Sequence, residues 1–252
     1  MTHAHRIQPD RTWVADLLEH RASIVGLVSR RTLSLEQILV AAIELLDAEG
    51  LEGLHMRELG ERLGSAATAV YWHVKSKSRL IALAGDEVWN EIRLPDVEKV
   101  GWRAAAAAMA SDLHAMLMRH PWLVQAFGSY VIFGPGTARH HDHSLVVYEA
   151  AGFAPGDADR ASTAVFTFVL GSALGHAAAV AMRRNTDKAT LDETMSEARK
   201  VASRFPRLLA RIDSPEANYA ASPEATFELG LAAILDGLEA QIANRPPRRR
   251  GR

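Results

Sequence analysis

The spacing of apolar side chains is the feature that most limits what this chain can fold into. From residue 35 onward they recur every three or four positions, and no alternating pattern bounded by turns appears. That period is typical of an α-helix buried along one face. Ser34 and Gln37 have the spacing of a capping box at a helix start, and Gly50 stands where that helix would end. The sequence therefore predicts an all-α protein.

The first predicted helices are short and are separated by glycine turns. They cover 35–49, 56–63 and 66–73, and Ser76 then caps a longer fourth helix that runs to about residue 92. Three short helices of this kind form a helix-turn-helix, in which the second helix supports a third that enters the DNA major groove. The buried side of this unit is predicted to be Leu59, Leu63, Val70 and Val74.

Pro95 marks the end of this first unit, because proline disfavours helix at the residue before it. Further helices are predicted at about 101–119, 121–130, 135–151, 157–183, 187–204 and 223–243. Three of these helices are predicted to begin with a proline at the first helical position, namely Pro121, Pro135 and Pro223. Helix N-caps are predicted at Asp157, Asp187 and Ser222. The predicted organisation is a partly helical N-terminal extension (1–31), a helix-turn-helix domain (32–80), a larger helical domain (81–244) and a basic disordered tail (245–252).

Composition excludes several classes of protein. The 252 residues contain no cysteine, which excludes disulfides, thiolate metal sites and a cysteine nucleophile. A formal net charge of −1 argues against a uniformly basic coat for nucleic acid. The first ten residues lack the apolar core of a signal peptide, and polar residues interrupt the apolar run from Ala161 to Met182. We therefore expect a cytoplasmic protein without a membrane span, with that run as a buried helix.

Three runs in the N-terminal region resemble one known family. They are 48–54 (Ala-Glu-Gly-Leu-Glu-Gly-Leu), 57–59 (Arg-Glu-Leu) and 71–77 (Tyr-Trp-His-Val-Lys-Ser-Lys). Together they resemble the DNA-binding domain of TetR-family transcriptional regulators. The resemblance implies a homodimeric repressor that binds a palindromic double-stranded DNA operator and a small-molecule effector, with no cofactor. It also implies that Arg57 reads a guanine edge and that Tyr71, His73 and Lys77 contact phosphates.

The candidate DNA contacts extend beyond these positions. Trp72 is predicted to pack partly on the scaffold while its indole N–H reaches a phosphate. Two arginines before the first helix form either a basic arm or an ordinary solvated pair. His55 and Met56 stand where the family usually has a capping threonine or serine, so the second helix is predicted to start less firmly. Ala66 replaces the usual capping serine of the third helix, where Ser65 could substitute. The full candidate set is Arg30, Arg31, Arg57, Ala67, Thr68, Ala69, Tyr71, Trp72, His73, Lys75 and Lys77.

The region from Gly101 onward resembles the C-terminal domain of one TetR subgroup. The resemblance rests on 102–103 (Trp-Arg), 119–121 (Arg-His-Pro) and 150–153 (Ala-Ala-Gly-Phe). It implies that two helices of each subunit, about 157–183 and 223–243, form a four-helix dimer interface. Candidates for close approach and for an apolar stripe there are Gly171, Ala173, Gly175, Ala177, Ala178, Ala179, Leu229, Ile234, Leu235 and Leu238.

A pocket between helices is the expected effector site in this architecture. Aromatic and methionine side chains with few charges suggest an apolar, partly aromatic effector with one or two polar groups. Each candidate residue is also well explained as ordinary core. The candidates are Trp89, His114, Met118, Trp122, Phe127, Tyr130, Phe133, His143, Phe166, Phe168 and His176.

Two other classes of function stay open at the level of sequence. His140 and His143 have the i, i+3 spacing of metal ligands, which suggests a metal-responsive regulator, although a solvated face explains them equally well. A helical enzyme is the other alternative, but no nucleophile motif, paired carboxylates or phosphate loop supports it. We therefore expect a transcriptional repressor that is not an enzyme.

Overall fold

The computed structural model describes residues 33–213 and 223–244, and its first four helices form the predicted helix-turn-helix and a connecting helix. They are α1 (Leu35–Gly53), α2 (Met56–Arg62), α3 (Ala67–Val74) and α4 (Lys77–Val88). The predicted capping box is confirmed, because Ser34 and Gln37 exchange side-chain and backbone hydrogen bonds of 3.1 Å in both directions. Gly50 interrupts the regular path of α1 with a φ of +74°, a value that favours glycine.

A short 3-10 turn (Trp89–Glu91) follows α4 and leads into the C-terminal part. The helices of that part are α5 (Val97–Val100), α6 (Trp102–Arg119), α7 (Pro121–Ala126), α8 (Pro135–Ala150), α9 (Pro155–Asn185), α10 (Lys188–Ala202), α11 (Pro206–Asp213) and α12 (Pro223–Ala243). Within the described residues there is no strand, which confirms the all-α prediction for that part of the chain. α9 packs against α6, α7, α8 and α12, while α1 packs against α4 and α7. One apolar core therefore continues from the helix-turn-helix into the C-terminal part.

Several sequence-based boundaries are wrong. α7 ends at Ala126 rather than near residue 130. α9 begins at Pro155, so Asp157 lies in its first turn and not at the cap. The short helices α5 and α11 were not expected, because four to eight residues show little periodicity. The cap at Asp187 is confirmed by its bond from the Thr190 N–H at 3.0 Å. The N-terminal extension, the basic tail and the Ser222 cap lie outside the described residues.

The longest helix, α9, carries an apolar face that the protomer leaves open. By length and composition it is the one helix in the described ranges that could cross a membrane. The expectation that the run from Ala161 to Met182 is buried holds for only one side. Val165, Val169 and Ala173 face the core, whereas Leu174 is 58% exposed and Met182 49% exposed. Because α9 also packs on four other helices, we interpret it as a helix of a folded bundle with one apolar side at the surface, and not as a membrane span.

Candidate nucleic-acid interface and ligand cavity

The helix-turn-helix holds α3 against α2 by a close backbone approach at Gly60. A Cβ atom there would lie 2.9 Å from the backbone nitrogen of Ala67 and 3.0 Å from the carbonyl oxygen of Ser65. A larger residue would therefore push α3 away from α2. The sequence interpretation gave Gly60 no role. The predicted inner side is confirmed as buried or half-buried at Leu59, Leu63, Val70 and Val74.

The outer face of α3 and the start of α2 hold the candidate DNA contacts at the surface. The side chain of Arg57 is 88% exposed and pairs with Glu61 at 3.3 Å. Such a surface pair is weak, so Arg57 can turn toward a base at little cost. Neither His55 nor Ala66 supplies a side-chain cap. The remaining candidates are exposed or half-buried at Ala67, Thr68, Ala69, Tyr71, Trp72, His73, Lys75 and Lys77.

Trp72 is far more exposed than the sequence suggested. An exposed fraction of 72% corrects the expectation that its ring packs on the scaffold. The ring meets the edge of His73 at a centroid distance of 4.8 Å, and Lys75 Nζ lies 5.7 Å from its centroid. Lys75 has a φ of +66° and donates from Nζ to the carbonyl oxygen of Trp72 at 2.9 Å. An indole and an ammonium group are thus presented together at the end of α3.

The turn after α3 fixes the start of α4. Ser76 Oγ accepts from the Arg79 N–H at 3.0 Å, which confirms the predicted cap. Lys77 is the first residue of α4, where the helix dipole favours a bound anion. Arg30 and Arg31 lie outside the described residues.

A cavity of about 550 Å³ opens between the end of α4 and helices α6, α8 and α9. Its volume is within the range of sites for drug-sized ligands. The wall is largely apolar and contains no lysine or arginine. The predicted effector residues that line it are Trp89, Phe127, Phe133 and Phe166. Its polar wall residues are Thr137, His140, His141, Asp142, Ser144, Tyr148, Ser162 and Thr163.

The buried polar groups of the cavity wall are uncharged. Burial lowers the pKa of His140 to about 4, so its imidazole is neutral near pH 7. Burial raises the pKa of Tyr148, so its phenol keeps its proton. The hydroxyls of Ser144 and Ser162 bond to each other at 2.8 Å. Because the wall contains no lysine or arginine, an anionic ligand would lose hydration without gaining a countercharge, so the cavity favours an uncharged molecule over an anion.

The other predicted effector residues lie outside this cavity. His114 stacks on a phenylalanine of α12, with ring centroids 4.0 Å apart. Trp122 donates from Nε1 to Asp47 Oδ1 at 2.7 Å. His143 Nε2 lies 2.8 Å from the carbonyl oxygen of Pro95. Also away from the wall are Met118, Tyr130, Phe168 and His176.

His140 and His143 are engaged at different places. The ring of His140 lies against Trp89, with centroids 4.9 Å apart, whereas His143 bonds to the backbone of Pro95. Across 33–213 and 223–244, no group of three or more histidine, aspartate or glutamate side chains is arranged to hold a metal ion. The geometry therefore lends no support to the metal-responsive alternative.

A charged cluster around His120 joins α1 to the turn after α4. The histidine is 6% exposed, and its Nδ1 and Nε2 lie 2.7 Å from Asp47 Oδ1 and 2.8 Å from Glu91 Oε1. Trp122 also donates to Asp47, and Arg119 pairs with Glu91. Burial alone would lower the pKa of His120, but its hydrogen bonds to the two carboxylates raise it above the ordinary value. His120 thus bridges the helix-turn-helix unit and the C-terminal part, and the two carboxylates favour its protonated form.

A second connection joins α4 to α8 beside the cavity. Asp86, which is 9% exposed, accepts from the Gly136 N–H at 3.1 Å, the Thr137 N–H at 2.8 Å and Thr137 Oγ1 at 2.7 Å. These amides are donors that the first turn of α8 leaves unpaired. A Cβ atom on Gly136 would collide with the carbonyl oxygen of Asp86. The connecting helix therefore supplies the N-terminal cap of a helix that lines the cavity.

The face of α9 that no other described helix of the protomer covers contains Gly171 and Gly175. Open space surrounds the Cβ positions of Gly171 and Gly175, and Leu174 beside them is exposed. On α12, Leu229 is 75% exposed. Four predicted interface residues are instead buried within the protomer, namely Ala173, Ala177, Leu235 and Leu238.

Known proteins resemble both halves of the chain. The family described as "Bacterial regulatory proteins, tetR family" matches residues 38–84, and "Tetracyclin repressor-like, C-terminal domain" matches residues 94–242. An HTH-type transcriptional regulator of Saccharopolyspora erythraea is 31% identical over 209 residues, which cover 82% of this chain and 85% of that protein. The HTH-type transcriptional repressor DrrR1 of Streptomyces coeruleorubidus is 31% identical over 223 residues, with 85% and 80% covered. The crystal structure of Streptomyces coelicolor ActR in complex with actinorhodin has a TM-score of 0.66 at 26% identity, and covers 84% of this chain and 99% of that one.

Proposed function

The chain belongs to the TetR family of DNA-binding transcriptional regulators, and we propose that it is a repressor that an uncharged aromatic molecule releases from its operator. The observation that carries the proposal is the placement of α4. Lys77, its first residue, stands at the candidate DNA surface, and Trp89, directly after its last residue, lines the cavity. A ligand that prefers one position of α4 therefore changes the position of the DNA-reading helix.

The proposed DNA contacts follow from exposure and chemistry. Arg57 reads a guanine edge, Thr68 contacts polar base edges, and Ala67 and Ala69 contact thymine methyl groups. The phosphate contacts are assigned to Tyr71, Trp72, His73, Lys75 and Lys77. In a dimer the two α3 helices enter successive major grooves of a palindrome about 34 Å apart.

The proposed dimer joins α9 and α12 of each protomer in a four-helix bundle. The exposed Leu174 and Leu229 and the open space at Gly171 and Gly175 support this arrangement. It covers the apolar side of α9 with a second copy of the chain rather than with lipid. We accordingly place the repressor in the cytoplasm with its operator.

The proposed ligand is a molecule of several rings without a formal charge. Trp89, Phe127 and Phe166 offer aromatic surface, and the buried polar groups of the wall are neutral hydroxyl and imidazole groups. The related ActR structure, which is in complex with actinorhodin, supports a ligand site in this architecture. The proposed ligand would lie against α8, whose first turn is bonded to Asp86 of α4.

The test is operator binding by purified protein with and without candidate ligands. Fluorescence anisotropy on DNA from upstream of the gene should give a dimer complex that uncharged aromatic compounds dissociate. Ala138→Trp places a large side chain in the cavity, so this variant should still bind DNA but should no longer release it when ligand is added. Ala189→Trp, on exposed α10, is the matched control and should keep both. A response that survives Ala138→Trp unchanged would place the ligand elsewhere.

A further inference from the structure

The indole N–H of Trp89 is a buried donor without a partner. The residue is 3% exposed, and no described group accepts a hydrogen bond from its Nε1. Buried donors almost always have an acceptor, because burial removes their hydrogen bond to water and leaving it unreplaced costs free energy. An unpaired one therefore needs an explanation, and a missing ligand atom provides it.

The surroundings of Trp89 belong to the effector cavity. Its ring stacks on Phe166 with centroids 6.2 Å apart, and meets the edges of His140 at 4.9 Å and Phe127 at 6.5 Å. All four residues line the cavity. Ring packing thus holds the indole at the cavity wall, and these ring contacts leave its N–H without a hydrogen bond.

Among the fully buried side-chain polar atoms of the described residues, only one other lacks a hydrogen-bond partner. Ser144 and Ser162 in the cavity wall already bond to each other. His114 has the other buried unpaired side-chain atom, Nε2, but it stacks on Phe227 outside the cavity. Among the described residues, Trp89 Nε1 is therefore the fully buried atom of the wall whose hydrogen bonding a ligand would complete.

The position of Trp89 along the chain gives that bond a consequence. It follows the last residue of α4 and lies three residues after Asp86, which caps α8. A ligand bonded to the indole is thereby attached to the helix that begins with Lys77 at the DNA surface. The same bond fixes the ligand's orientation and engages the connecting helix.

We infer that the effector carries a neutral acceptor, a carbonyl or ether oxygen on an aromatic frame, and that this oxygen accepts a hydrogen bond from Trp89 Nε1. The inference rests on the proposed function and specifies its ligand. A carboxylate or phosphate fits less well, because the wall contains no lysine or arginine to pair with it.

The test uses two probes of one shape, 9-fluorenone with a carbonyl and fluorene without it. Dissociation constants are measured for wild type, for Trp89→Phe, which keeps an aromatic ring but has no N–H, and for Trp102→Phe, which alters an indole outside the cavity. Trp89→Phe should weaken fluorenone about tenfold relative to fluorene, and Trp102→Phe should leave the ratio unchanged. Thermal unfolding without probe should show that Trp89→Phe remains folded, since it removes an unpaired donor.

The outcomes separate the two claims. A selective loss of fluorenone binding in Trp89→Phe supports the inference. Equal changes for both probes overturn the inference alone, because the cavity still binds aromatic molecules. If Ala138→Trp binds both probes as tightly as wild type, they lie outside the cavity, which counts against the proposed function and against the inference with it.

Discussion

Replacing His120 tests whether a protonated histidine holds the helix-turn-helix to the C-terminal part. His120→Ala removes two bonds, to Asp47 and Glu91, whose side chains are 32% and 36% exposed. Hydrogen bonds to charged groups contribute roughly 1.5–3 kcal/mol, and solvent screening at these carboxylates reduces each to about 1 kcal/mol. The lost packing of the ring adds about 1 kcal/mol, so we expect His120→Ala to lower the free energy of unfolding by about 3 kcal/mol near pH 6.

The loss should shrink as the pH rises. The pKa of His120 is raised from its ordinary 6.5, because the two carboxylates outweigh the effect of burial. Its contribution is therefore complete below about pH 6.5 and disappears as the pH rises through the folded-state value. Above that value the wild-type histidine is neutral, and the difference from His120→Ala should fall by about 1–2 kcal/mol.

Urea denaturation of both proteins between about pH 6 and about pH 9 measures this difference. His141→Ala, at an exposed histidine of α8, is the control and should lose little stability at any pH. If wild type and His120→Ala lose stability in parallel across this range, the charge on His120 does not hold the junction. Operator binding measured at the same pH values should follow the same trend, since α1 belongs to the helix-turn-helix unit.

Three further predictions concern DNA, the dimer and the ligand response. Arg57→Ala should cost about 1–3 kcal/mol of operator binding and relax specificity at one base pair, whereas Lys77→Ala should weaken all sequences alike and lower the salt slope by about one. If both variants lose affinity equally for all operator variants, Arg57 does not read a base. Gly175→Leu should weaken the dimer in sedimentation equilibrium, whereas Gly156→Leu, also in open space on α9, should not. An unchanged dimer would move the interface elsewhere. Asp86→Ala removes three hydrogen bonds at a buried site and should cost about 3 kcal/mol of stability by calorimetry. Asp86→Ala should also reduce the effect of ligand on operator affinity. If ligand lowers the operator affinity of this variant as much as that of wild type, the bonds between Asp86 and α8 do not transmit the signal.

Features set by neighbours in the chain could be predicted from the sequence. The Ser34 capping box, the Ser76 cap and the buried side of the helix-turn-helix depend on residues three or four positions apart, and all are present. Family resemblance supplied the roles of the exposed residues on α3. Trp72 departs from its expected packing because propensity gives no information on whether a neighbouring helix covers an indole.

The cavity wall was less predictable, because periodicity identifies buried positions without saying what they face. Trp89, Phe127 and Phe166 line the cavity, whereas Trp122 has the same chemistry but bonds to an aspartate 75 residues away in sequence. Asp86 was missed for the same reason, since its partners lie 50 and 51 residues further along the chain. Gly60 could have been suspected only from the short spacing between α2 and α3.

If the open side of α9 forms the proposed dimer, operator occupancy is sensitive to gene dosage. Because the proposed dimer forms from two copies of one face, its concentration varies with the square of the protomer concentration whenever protomers are scarce. Halving expression then removes about three quarters of the DNA-competent species, and not half. A weakly expressed repressor of this design responds to small changes in its own synthesis as well as to its ligand, and autoregulation of its gene would be correspondingly steep.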